Sequence, residues 1–354
     1  MAMDKFLDIT DFSREGLREA LNKLTVIKGN RSVFAEEFQG KTVANITLGK
    51  DRFKEEYAMT SAVKKMGGSA VNYELSENES LKDAVMKISA IADVINISHC
   101  KKGAARAASL YSKVPVINSG DGGRAFPLQT LSDLASVWVE KNHVSNMKIG
   151  FLGDFSNNVF VRGIMQCLNL YKGNEFFFVS VNGKPIPDDF IKIMDRREKD
   201  FIVYDNIFEV LPELDVLYMT EVTKESFETP IQYNSRKHKF TLDERMLMSA
   251  KEDLIILHPF PRGDELPMNI DSDSRAKYVD GFDRYIDACM AIISFMSYNR
   301  VGSFAKSMYE ESTHEEFCGK EDCITSTENY LPHLFYELSD GKLICKYCGQ
   351  ELKK

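Results

Sequence analysis

Residues 41–73 read KTVANITLGKDRFKEEYAMTSAVKKMGGSAVNY, and the change of period within them decides the fold. Thr42 to Thr47 form a short, largely apolar run rich in β-branched side chains, the pattern of a buried strand. Phe53, Tyr57, Ala62, Val63 and Met66 then recur along one face of a helix that Gly67-Gly68 brings to an end. Ser69 to Tyr73 resumes the strand pattern. Strand, helix and strand within roughly 30 residues make a βαβ unit, which implies a parallel sheet.

The same alternation extends outward. Further strands are predicted at Val94 to Ser98, Val114 to Asn118, Lys148 to Leu152, Glu175 to Val181, Phe201 to Tyr204, Val216 to Met219 and Leu254 to Leu257. Phe126-Pro127-Leu128-Gln129-Thr130 opens a long helix through Trp138 that can bridge two halves, and a helix from Asp283 to Tyr298 closes the alternation. The expected architecture is two doubly wound parallel-sheet α/β domains, residues 1–137 and 138–281. Residues 282–300 return to the first domain, and 301–354, which carry the pairs Cys318-x4-Cys323 and Cys345-x2-Cys348, form a small C-terminal zinc ribbon. A length of 354 residues accommodates this.

Composition excludes several functions. With 45 basic and 53 acidic residues the net charge is −8, so nucleic acid is not an expected partner. Met1-Ala2-Met3-Asp4-Lys5 has no apolar segment behind it, and no run approaches membrane-spanning length. A cytoplasmic protein with no membrane partner is expected, in which seven cysteines are thiols or metal ligands rather than disulfides.

Four of those cysteines are spaced for a metal. Cys318-x4-Cys323 is followed, after 21 residues, by Cys345-x2-Cys348. Two short pairs on two loops can set four thiolates around a tetrahedral zinc ion, with no open position and therefore a structural role. His314 or His333 replacing one cysteine, an iron site, or four unrelated thiols are the alternatives. A tail of this size buries little surface by itself, so metal binding is expected to supply most of its folding free energy.

Val114 to Gly122 (VPVINSGDG), Asp215 to Thr220 (DVLYMT) and Leu257 to Glu265 (LHPFPRGDE) together resemble the catalytic chain of aspartate carbamoyltransferase. His99 with Gly103-Ala104-Ala105-Arg106 is similar to a fourth motif of that family, and the likeness runs from about Phe6 to Arg300. The cysteine tail is similar to the zinc module of the separate regulatory chain of bacterial aspartate carbamoyltransferases, which docks onto catalytic chains. The resemblance implies a two-domain fold, a trimer joined through the first domain, and carbamoyl transfer from carbamoyl phosphate to aspartate in pyrimidine biosynthesis.

Against the family's pattern, the expected active-site positions are altered. The phosphate loop Ser-Thr-Arg-Thr-Arg aligns with Arg52, Phe53, Lys54, Glu55 and Glu56, so carboxylates replace hydroxyl and guanidinium donors. The Arg before the His-Pro motif is Ser98, and the motif itself begins at His99. The histidine that donates to the carbamoyl oxygen is Phe126, leaving Gln129 of its pair. The two arginines that clamp aspartate fall on Val159 and Glu221, and the loop lent by a neighbouring subunit shrinks to Glu77-Asn78-Glu79. Losing three or four charge-assisted hydrogen bonds while adding like charge costs roughly 6 to 10 kcal/mol, about four to seven orders of magnitude in affinity.

The retained residues also have plainer readings. His258 and Pro259 serve as a turn scaffold or position a ligand, and Asp121 serves its loop. Lys50, Arg52, Lys54, Lys101, Lys102, Arg124 and Arg162 form a solvated rim or a different anion site. Cys100 and Cys167 read as packed thiols. The expected function is a non-catalytic aspartate-carbamoyltransferase-like subunit, structural or regulatory. Its expected partners are its own copies, trimer-based, and an active aspartate carbamoyltransferase chain. The rival expectation is a divergent carbamoyltransferase whose amino-acid acceptor is cationic.

Overall fold

The computed structural model describes residues 4–49, 53–76, 78–156, 158–181, 186–194, 202–297, 311–338 and 341–352. Arg52, Lys50 and Glu77 lie outside the described residues. The chain divides into two units, residues 1–129 with 285–354 and residues 130–284. The division falls between Gln129 and Thr130, inside the bridging helix, and the cysteine tail groups with the first unit.

In the first unit the β-branched runs become β1 (Lys5–Phe6), β2 (Thr42–Leu48), β3 (Ser69–Glu74), β4 (Val94–His99) and β5 (Val116–Asp121). They form one parallel sheet in the order β1-β5-β4-β2-β3. The helices are α1 (Arg14–Gly29), α2 (Phe53–Lys65), α3 (Leu81–Ile88) and α4 (Ala104–Tyr111), with α5 (Pro127–Lys141) starting at its boundary. From β2 the chain steps outward to β3 and then back across to β4, so the topological switch lies between β2 and β4. Leu48 and His99 end those strands in register, at the edge where ligands of open α/β sheets bind.

A polar ladder crosses this sheet. Ser119 Oγ donates to Asn96 Oδ1 (2.6 Å), Asn96 Nδ2 to Asn45 Oδ1 (3.0 Å), Asn45 Nδ2 to Asn72 Oδ1 (2.8 Å) and Asn72 Nδ2 to Glu56 Oε1 (2.6 Å). Ser119, Asn96 and Asn45 are fully buried, and each finds its partner on the adjacent strand rather than in water.

The second unit repeats the plan with β6 (Lys148–Gly153), β7 (Glu175–Ser180), β8 (Ile202–Tyr204), β9 (Val216–Met219) and β10 (Ile255–Leu257), parallel in the order β10-β9-β6-β7-β8. Between the strands lie α6 (Val159–Leu168), α7 (Asp188–Met194), α8 (Pro230–Arg236) and α9 (Glu244–Leu247). Phe151 stacks on Phe178 at 5.5 Å, and Tyr218 donates from β9 to Asp133 Oδ2 on α5 (2.7 Å). The last helix, α10 (Gly281–Ser297), starts in the second unit and ends in the first.

The tail forms an antiparallel sheet of β11 (Glu311–Thr313), β12 (Leu334–Glu337) and β13 (Leu343–Cys345). It is less dependent on its own interior than its length suggests. Leu331, Phe335, Leu343 and Tyr347 join one buried cluster with Leu81, Val85 and Ile88 of α3 and the alanines of α4. The tail is thus built over the apolar faces of two helices that would otherwise meet solvent.

Candidate functional site

Cys318, Cys323, Cys345 and Cys348 converge. Their sulfurs all lie within 4.8 Å of one another, and each side chain is buried. Sγ of Cys318 lies 3.7 Å from that of Cys348, and Sγ of Cys323 lies 3.9 Å from that of Cys345. Sulfurs about 2.3 Å from a shared tetrahedral ion stand about 3.8 Å apart, so the spacing fits a zinc-sized centre and not a disulfide. Thr325 Oγ1 donates to Cys323 Sγ (3.2 Å), and the other three sulfurs push the Cys318 thiol far down toward thiolate. Gly349 closes the second loop with φ +74°, donating its N–H to the Cys345 carbonyl. Among the described residues the cluster holds cysteines alone. His314 faces Glu316, and His333 accepts from the His314 backbone and packs against Phe317.

Near the switch edge of the first sheet, the remaining candidates of this unit meet different partners. Lys54 Nζ donates to Gln129 Oε1 at 2.6 Å and lies 5.1 Å from the Tyr285 ring centroid. Oε2 of Glu55, the next residue on α2, is buried without a hydrogen bond. Burial, with the negative charges of Glu55 and Asp287, pushes the Cys289 thiol far up. Arg31 Nε donates to Asp287 Oδ1 at 2.6 Å. Glu56 terminates the asparagine ladder. Ser98 is fully buried with its hydroxyl unsatisfied, and His99 Nδ1 accepts from the Lys101 N–H (2.9 Å). The Phe126 ring covers Gly120 so closely that a Cβ there would sit 2.3 Å from Cε1.

Among the described basic candidates of the first unit, three turn to the tail. Lys101 Nζ donates to the Glu321 carbonyl, Lys102 pairs with Asp322, and Arg124 reaches Gly349, all on the tail. Arg162 lies over Phe190 in the second unit.

In the second unit Val159 opens α6 behind Asn158, whose side chain accepts from the Val161 N–H. Glu221 is exposed. Its neighbour Val222 donates to Glu265 Oε2 (3.1 Å), while Gly263 N–H donates to Oε1 (2.7 Å). His258 Nδ1 accepts from the Phe260 N–H, which leaves Nε2 to donate to Glu265 Oε1 at 3.1 Å. Neither side chain of this pair meets solvent, and Pro259 leads into a cis Phe260–Pro261 bond. His258 thus links Phe260 and Glu265 within its own turn.

Residues 4–138 match the carbamoyl-P binding domain and residues 145–296 the Asp/Orn binding domain of aspartate/ornithine carbamoyltransferases. The chain belongs to the aspartate/ornithine carbamoyltransferase family. It is 36% identical over 278 residues to the aspartate carbamoyltransferase catalytic subunit of Clostridium novyi, covering 77% of this chain and 90% of that one. A Clostridium botulinum catalytic subunit is 32% identical over 303 residues, covering 83% and 98%. The catalytic subunit of M. jannaschii aspartate transcarbamoylase is similar in structure, with a TM-score of 0.78 and 29% identity over 83% of this chain and 98% of that one.

The cysteine cluster lies beyond both carbamoyltransferase segments. Sequence reasoning missed Tyr285 and Asp287, which α10 brings to Lys54 and Arg31 in the carbamoyl-P binding segment's unit, and it missed Glu265, the hub of the His258 turn. An acid seven residues after a histidine gives no signal by itself; the buried pair emerges only once the turn folds back.

Proposed function

We propose that this chain is a non-catalytic aspartate-carbamoyltransferase-like subunit that carries a structural zinc ion on Cys318, Cys323, Cys345 and Cys348. It assembles as a trimer-based oligomer, or with an active aspartate carbamoyltransferase chain, in a transcarbamoylase assembly of pyrimidine biosynthesis. One observation carries the reading: Lys54, left at the phosphate position, bonds to Gln129, left from the carbamoyl-oxygen pair, and Oε2 of Glu55, the next residue, is buried without a hydrogen bond. A dianion placed there competes with Gln129 for Lys54 and meets the like charge of Glu55. Phe126 offers a ring where an oxyanion needs a donor.

Calorimetric titration with carbamoyl phosphate, with a carbamoyl-aspartate assay in protein free of host enzyme, tests this. Neither binding nor turnover is expected at millimolar substrate. Micromolar binding, or turnover abolished by Gln129→Ala, would favour a divergent carbamoyltransferase with a cationic acceptor, for which the exposed Glu221 is the motivating residue. Light scattering tests the assembly: a single-chain mass, alone and with an active chain, would sink it. Metal analysis of protein purified without added zinc is expected to return one zinc per chain.

A further inference from the structure

Among the described residues, the tail bonds to backbone groups of the preceding part of the first unit at two segments, through residues at or beside metal-ligating cysteines or on the loop between them. At the first, the Lys102 N–H donates to the Asp322 carbonyl (2.8 Å) and the Ile324 N–H to the Lys102 carbonyl (2.9 Å), so the strand-like bridge brackets Cys323 itself. One residue on, Gly103 has φ +85°, and a Cβ there would lie 2.5 Å from Tyr347, which stands between Cys345 and Cys348. The opposite side of this loop is held by the body: Gly103 N–H donates to Asp121 Oδ2 (3.0 Å) and Gly122 N–H to the His99 carbonyl (2.8 Å). At the second, Ser80 makes no side-chain cap for α3. The tail supplies it, since Leu81 N–H donates to Glu328 Oε1 (2.9 Å) and Lys82 N–H to the Tyr330 hydroxyl (3.0 Å).

Resting on the zinc reading above, we infer that closure of the four-cysteine cluster around its metal ion clamps two body segments. These are the 99–103 loop, at the switch edge of the first sheet, and the N-terminus of α3. The physical chain is short. Four thiolates without a cation repel one another, and four thiols lack the bonds that fix the two loops. The loops that would relax carry the backbone partners of Lys102 and the packing surface of Gly103. Once Glu328 and Tyr330 drift, Leu81 and Lys82 N–H groups are orphaned at a helix start, and an eight-residue helix does not hold its first turn alone. Metal occupancy at the tail thereby sets the order of a loop that begins at His99.

Hydrogen exchange read by mass spectrometry on the full chain tests the clamp, comparing zinc-loaded protein with the same protein after chelation. Peptides covering 80–88 and 100–106 are expected to exchange at least about tenfold faster without metal, while peptides from β9 stay unchanged. Glu328→Ala, which touches no ligand, is expected to keep its zinc and speed exchange only at the start of α3. Metal lost with both segments still protected would overturn the clamp and leave the zinc reading intact. Protein that never held metal, yet protects both segments, would overturn both. Loss of protection throughout the second unit would also overturn the clamp, by showing global unfolding instead of local release.

Discussion

A methyl group at Gly103 has nowhere to go: its backbone needs a left-handed φ, and Tyr347 fills the space a Cβ would take. Gly103→Ala is expected to cost about 1–3 kcal/mol and to loosen the tail, read as a lowered denaturation midpoint with earlier release of metal. Glu265 makes a second residue-scale case. Burial raises its pKa, but the hydrogen bonds from His258, Gly263 and Val222 outweigh that and hold it below the ordinary 4.5. The proton therefore prefers the unfolded chain. The stabilisation is fully present above about pH 4.5 and is lost as pH falls through the lower folded value. Glu265→Ala is expected to cost about 3–5 kcal/mol at neutral pH, because His258 keeps a buried donor without an acceptor, and to flatten the acid limb of stability against pH. Denaturant titrations from pH 3 to pH 7 on both proteins check this; an unchanged acid limb would remove Glu265 from the account.

At the scale of elements, the asparagine ladder binds four strands through side chains instead of apolar packing. Asn45→Ala strips a partner from Asn96 on one side and Asn72 on the other. The expected cost is about 2–3 kcal/mol, with faster amide exchange in the outer strand β3; a loss below about 0.5 kcal/mol would show that water replaces the missing amide. How much of this was legible follows from what pattern can carry. The long β-branched runs and the helix ending at Gly67-Gly68 were readable because period alone specifies them. The two-residue β1 was not, since Lys5–Phe6 has no period to read and is fixed by pairing with Val116 and Ile117. Asn45 and Asn96 look like interruptions of apolar strands, and only register reveals them as partners. The cysteine cluster was readable because ligand spacing is itself local chemistry. What covers α3 and α4 was not, because an apolar helix face does not name what it packs against.

At the scale of the whole molecule, the two units have separate cores and the tail belongs to only one of them. Scanning calorimetry is expected to resolve two transitions. Chelation should lower the transition of the first unit by roughly 10 °C or more and leave the other in place, since a ligand stabilises only the unit whose folded state it binds. A single transition that moves as one would show that the units unfold together. The same division explains why residues 285–297 matter to the candidate site: α10 delivers Tyr285 and Cys289 to α2 and Asp287 to Arg31 after a detour through the entire second unit.

That detour has a consequence during synthesis. The ribosome makes the first unit's sheet early, then the whole of the second unit, and only afterwards the segments that complete the first. The second unit is contiguous and can fold as it emerges, whereas the earlier one waits. At about 5–20 residues per second, the Leu81, Val85 and Ile88 face stays bare for roughly ten to fifty seconds before residues 311–352 can cover it. Through that interval it is a sticky surface on a nascent chain, exposed to every neighbouring polysome and to any chaperone that holds apolar helices. A stop codon within the last forty or so residues would make the exposure permanent in a chain that is otherwise almost entirely built.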